Sequence, residues 1–118
     1  MHLRLQATEE FPSHERYGLT AELRKTARSV VYNIAEGHRR CGAKEFARFL
    51  DISHGSAAEL ETQLRLSRAL FYLASKKTEE LLAIVDTIER MLTRLKANLR
   101  AQQAPTSSPN SQLITQEP

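Results

Sequence analysis

The chain has 118 residues, room for one compact domain if few are spent on loops. With 41% hydrophobic and 26% charged residues and a formal charge of +3, it belongs with globular rather than disordered chains, and 6% aromatics make its core aliphatic. No apolar run approaches the roughly 20 residues a bilayer span needs, and the opening MHLRLQATEEF does not read as a secretory signal, so no membrane role is expected. The single cysteine, Cys41, excludes an intrachain disulfide and points to a reducing, cytoplasmic setting.

The first periodic segment places Leu23, Ala27, Val30, Val31, Ile34 and Ala35 on one helical stripe, with Arg24, Lys25, Arg28 and Glu36 elsewhere. Thr20 suits its N-cap, with Glu22 in the first turn. Gly37 ends the pattern as a left-handed cap, and His38-Arg39-Arg40 follow at the negative end.

The second segment runs from Ala43 to about Leu73, with Gly55-Ser56 midway as a place where another backbone approaches. The third carries Leu81, Val85, Ile88, Leu92, Leu95 and Leu99 in alternating steps of four and three, a heptad seam. Ser75 or Thr78 caps its start. From Ala101 the composition turns to Pro, Ser, Gln and Thr. The chain therefore divides into a helical domain over 1–100 and a disordered tail over 101–118. No strand pattern survives, and the fold class is all-α: an antiparallel up-down helical bundle.

ERYGLTAELRKTARSVVYNIAEG, followed by KEFARFLDISHGSAAELETQLRLSRALFYL, resembles the 23S ribosomal RNA intervening-sequence protein family, over roughly Phe11 to Leu99. The sharpest parts are Asn33 to Gly37 and Gly55-Ser56 with Ala58 to Leu64. The resemblance implies a four-helix bundle assembled as a homo-oligomer, often a pentamer. It also implies kinship with the accessory variability determinant proteins of diversity-generating retroelements, which bind nucleic acid and a reverse transcriptase through basic surface. Two departures stand out. Val30-Val31-Tyr32 occupies a place where the family commonly has a proline, so no kink is required. Only ten residues precede Phe11-Pro12, so either the start is truncated relative to the gene or the four-helix bundle is expected to have a shortened first helix.

Residues equidistant from the Gly37–Gly42 corner should face each other, pairing Glu36 with Arg48, Asn33 with Asp51, and Glu59 with Arg24 or Arg28. Asn33, Glu36 and Glu59 are thus expected to form a polar network that sets helix register. Metal binding is not expected: Asp51-x-x-His54 is one imperfect copy of a motif that di-iron bundles use twice, and His38 with Cys41 makes only two ligands. Ser53, His54 and Ser56 lack a nucleophile elbow or oxyanion loop, and there is no glycine-rich phosphate loop. No enzyme and no cofactor are expected.

From Ala21 to Arg40 five bases meet two acids, whereas from Cys41 to Leu73 four meet four. Arg24, Lys25, Arg28, Arg39, Arg40, Lys44 and Arg48 are the candidate nucleic-acid contacts, expected as one strip around the corner. The tyrosines are not interleaved with them, so contact should be to phosphate and salt-sensitive. The reading is a non-enzymatic, oligomeric adaptor for RNA, DNA or a nucleic-acid enzyme such as a reverse transcriptase. The alternative is a structural or protein-binding oligomer with no nucleic-acid role. Either way the third segment's wide apolar face calls for cover, which further copies of the chain would supply; the resemblance implies a pentameric ring before a dimer or tetramer.

Overall fold

The computed structural model describes residues 6–15 and 18–103, and among them every regular element is helical. Two short 3-10 turns, Gln6–Glu10 and Ser13–Glu15, lead into α1 (Leu19–Arg39), α2 (Ala43–Ala69) and α3 (Ser75–Gln103). The all-α, up-down arrangement holds, but with three α-helices rather than four among the described residues. Where a shortened first helix was expected, the described residues form 3-10 turns, and Phe11-Pro12 interrupts the backbone ladder between them. None of the described helices is long and apolar enough to cross a membrane.

The boundaries follow local chemistry. Thr20 does not cap α1: it is buried, and the carboxylate of Glu15 accepts the Leu19 N–H at 3.0 Å. The preceding 3-10 turn delivers that acceptor, so a capping hydroxyl is superfluous. At the other end the Arg40 N–H closes on the Gly37 carbonyl. The left-handed turn residue is Gly42, with φ 100, and not Gly37. α3 begins at Ser75, with the Ala74 carbonyl accepting both the N–H and the hydroxyl of Thr78. It runs through Gln103, past the expected boundary at residue 100; the rest of the proposed tail lies outside the described residues.

Helix α2 is central, packed along α1 on one side and α3 on the other. Its first interface is tight because small residues line it. Gly37 is buried, and a Cβ there would meet the Phe49 Cβ at 2.7 Å and the Phe46 ring at 2.9 Å. Ser53 has no exposed surface and donates to the Val30 carbonyl at 2.8 Å, while Ser29 and Ser56 share a hydrogen bond of 2.7 Å. Gly55, by contrast, faces open space, so the close approach expected there is made by its neighbours.

The core forms two clusters. Leu23, Val30, Ala57, Leu64 and Val85 anchor one, Ala47, Leu50, Leu92 and Leu99 the other, and Ile34 and Ile88 pack against both. The seam of α3 is two-sided. Val85, Leu92 and Leu99, seven apart, are buried, whereas Leu81, Ile88 and Leu95 are only half-buried. The second row lines a trough between α1 and α3, where Val31, Ile84 and Met91 stand exposed. An up-down bundle would seat a fourth helix there.

Candidate nucleic-acid interface

The seven candidate bases do not form one strip. Arg28 and Arg39 are eleven positions apart on a straight helix, roughly 16 Å along its axis. Arg24, Lys25 and Arg28 therefore belong to one half of α1, and Arg39, Arg40, Lys44 and Arg48 to the α1–α2 corner. The first group is partly committed elsewhere. Arg24 donates to the Thr8 hydroxyl at 3.2 Å, tying down the N-terminal 3-10 turn. Lys25 lines a polar cleft with Glu22, Thr26, Ser29, Glu59 and Gln63, so acids share its surroundings.

The corner is built on Phe49. The Arg40 and Arg48 guanidiniums lie 5.0 and 4.5 Å from its ring centroid, within cation–π range. Each is also paired within its own helix, Arg40 with Glu36 at 3.0 Å and Arg48 with Glu45 at 3.2 Å. The hydrogen bond and charge of Arg48 hold the Glu45 carboxyl below the usual range against a small desolvation penalty, with Arg40 and Lys44 adding to the effect. Arg39 and Lys44 are exposed and have no ion-pair partner within 4.0 Å among the described residues. The corner thus presents oriented donor groups, but much of its charge is already balanced.

The polar network takes other partners than expected. Asn33 donates back to the Ser29 carbonyl at 2.8 Å and to its hydroxyl at 3.1 Å, so it reaches α2 only through the Ser29–Ser56 bond. Glu36 pairs with Arg40 instead of Arg48. Asp51 turns to α3, meeting Lys96 at 3.1 Å and Arg100 at 3.5 Å; Lys96, nearly buried, also donates to His54 Nδ1 at 2.9 Å. Glu59 is exposed on the polar cleft and makes no ion pair with Arg24 or Arg28. The Gln63 side-chain oxygen beside it is buried without a donor.

For chemistry, the Ser53 hydroxyl is sealed and engaged by Val30, and no group of three or more metal-ligating side chains occurs among the described residues. The Tyr72 hydroxyl, after α2, matters structurally because it reaches the N-terminal 3-10 turn. Tyr72 donates to Glu15 at 2.7 Å, and its ring packs on Phe11 with centroids 5.4 Å apart.

One residue was missed by sequence reasoning. Phe71, which falls inside the second segment as read from the sequence, is 93% exposed and has φ 64. A signal was present: Leu70-Phe71-Tyr72-Leu73 is four apolar residues in succession, and one helix face cannot take all of them.

A family model described as 23S rRNA-intervening sequence protein matches residues 3–94, well over half of the chain. No curated protein matches this chain.

Proposed function

The chain belongs to the 23S rRNA-intervening sequence protein family, and from that premise we propose that it is a non-enzymatic, self-assembling adaptor. In this reading it holds nucleic acid, or a nucleic-acid enzyme such as a reverse transcriptase, on basic surface. The observation that carries the assembly half is the trough between α1 and α3. Its two adjoining hollows, of about 480 and 460 Å³, share Val30, Val31 and Ile88 and expose apolar side chains along most of α3. Soluble monomers rarely expose so continuous an apolar surface, and copies of the chain can cover it. Closed cyclic symmetry, with a pentameric ring first in order, would stop growth at a defined size.

The nucleic-acid half is supported by the exposed Arg39 and Lys44 beside the stacked Arg40 and Arg48. Contacts of this kind go to phosphates, so affinity should fall steeply with salt. A structural oligomer without nucleic acid is the second reading. It is favoured by the number of bases already paired within their own helices: Arg40, Arg48, Arg65, Lys77 and Arg90.

Size exclusion with light scattering at micromolar concentration tests assembly, and a salt series against single-stranded and duplex RNA and DNA tests binding. A stable monomer would overturn the first half. Failure to bind at low salt would leave the structural oligomer.

A further inference from the structure

We propose that the α2–α3 corner is a stacking platform for single-stranded nucleic acid, with the Phe71 ring as the base-stacking surface and Arg68 and Lys76 as phosphate contacts. This rests on the nucleic-acid part of the reading above and gives it a place in the molecule remote from the α1–α2 corner.

The starting observation is a conformational one. Helix α2 ends in a double turn in which the Phe71 N–H bonds the Arg68 carbonyl and the Tyr72 N–H bonds the Ser67 carbonyl, both at 2.9 Å. That closure requires a left-handed residue where glycine is the usual occupant. Phe71 takes it with φ 64, a strained conformation for a side chain of that size. The fold gains nothing in packing, because the ring is 93% exposed. The neighbouring Tyr72 behaves oppositely, with its ring on Phe11 and its hydroxyl on Glu15. The turn accounts for the backbone conformation but not for a bulky, unpacked ring where glycine would serve, and such a retained side chain marks a functional position.

The sequence on either side of the ring is basic. From Leu64 to Thr78 the chain carries Arg65, Arg68, Lys76 and Lys77 and no acid. Arg65 and Lys77 are drawn to Glu61 and Glu80. Arg68 instead donates its Nε to the Ser75 hydroxyl at 3.0 Å, which holds the guanidinium across the corner with its terminal N–H groups available. Lys76 makes no ion pair within 4.0 Å among the described residues. An aromatic face beside oriented cations is what single strands use, one base on the ring and a phosphate on each cation.

The patch suits a small contact better than a protein partner. Around Phe71 the exposed large apolar side chains are Leu66 and Leu70, each about half exposed, a small cluster beside the continuous apolar lining of the α1–α3 trough. A nucleotide needs one ring and one or two cations.

The test uses the full chain and labelled single-stranded and duplex oligonucleotides at low salt. Phe71→Gly suits the backbone, so it should melt at the same or a higher temperature. It should nevertheless bind single strands about tenfold more weakly, with the salt dependence retained. Phe71→Trp should bind like the parent. Because the chain has no other tryptophan, quenching of that fluorescence by single strands reports stacking directly. Arg68→Ala with Lys76→Ala should lower the slope against salt. If the parent binds and Phe71→Gly binds equally, the platform is wrong while the basic-surface reading stands. If Phe71→Gly alters the assembly seen by light scattering and leaves oligonucleotide affinity intact, the corner is a protein contact and the proposal is overturned. If the parent binds duplex but no single strand at low salt, the platform fails alone; if it binds neither, direct nucleic-acid binding fails with it.

Discussion

Gly37 sits in a helix with ordinary backbone, and its value lies in the hydrogen that stands where a side chain would be. A methyl group there would collide with the Cβ of Phe49, which cannot swing away, and with the Phe46 ring. Gly37→Ala should therefore cost about 1–3 kcal/mol through overpacking. Urea denaturation checks this, and an unchanged midpoint would mean that the two helices separate at little expense. Gly42→Ala is the contrasting case, since nothing lies within 4 Å and only the φ of 100 resists it. Glu15 gives a pH prediction. Its carboxyl is held below the usual range first by the Leu19 N–H, then by the Tyr72 hydroxyl, against a small desolvation effect, with His14 adding to the lowering. The folded chain thus binds that proton less readily than the unfolded one. The contribution is complete above the ordinary carboxylate range and is lost as pH falls through and below it. Glu15→Gln should be less stable near neutrality and should flatten the loss of stability between about pH 5 and 3, followed by thermal melts. Parallel curves for the two proteins would remove Glu15 from the acid response.

Each helix takes its role from what faces it. α1 and α2 are joined through small hydroxyls: Ser53 is fully buried, and its Oγ satisfies a carbonyl already in the α1 ladder. Ser53→Ala removes one buried hydrogen bond without making a large void and should cost about 1 kcal/mol. A melting temperature equal to the parent's would show that the Val30 carbonyl needs no second donor. Between α2 and α3 the polar contact is Lys96, lodged between His54 and Asp51. Asp51 is half exposed, so solvent screens that pair and the apolar contacts of Leu50 and Leu92 carry most of the interface. α3 has a finished side and an open one. Its buried row meets α2, and its half-buried row packs on the core with one side and lines the trough with the other, where α1 covers it only in part among the described residues.

At the scale of the molecule that open side is the principal fact. Ile84 and Met91 are 57% and 62% exposed, so replacing them disturbs little of the subunit's own core. Ile84→Glu combined with Met91→Glu should leave the helical content and melting of the subunit near the parent's while shifting light scattering toward the monomer. Burial of each such side chain in an interface is worth roughly 1.5–3 kcal/mol, and two carboxylates would reverse that gain. An assembly of unchanged mass would place the subunit contacts elsewhere and leave the trough to another occupant. The trough's lining includes Lys77 and Arg94 and no acid, so an acidic-flanked apolar helix is the chemistry it would accept.

The amino-acid sequence by itself determined the helical class, the three amphipathic segments to within a few residues, and the family. All of these rest on local periodicity or on contiguous motifs such as Asn33 to Gly37, which need no knowledge of neighbours. The tertiary structure alone decided which polar groups meet. Glu36 had a partner one helical turn away in Arg40, and the nearer cation won over Arg48 across the interface. Asp51 could be assigned to α1 by counting from the corner, yet the rotation of α2 about its axis turned it to Lys96. The same rotation made Gly37 a packing residue. The turn closing α2 drove Phe71 out and Tyr72 in, although the two are adjacent and both aromatic. Side-chain partners depend on helix rotation and turn geometry over distances of a few ångströms, and a repeat of 3.6 residues carries no record of either.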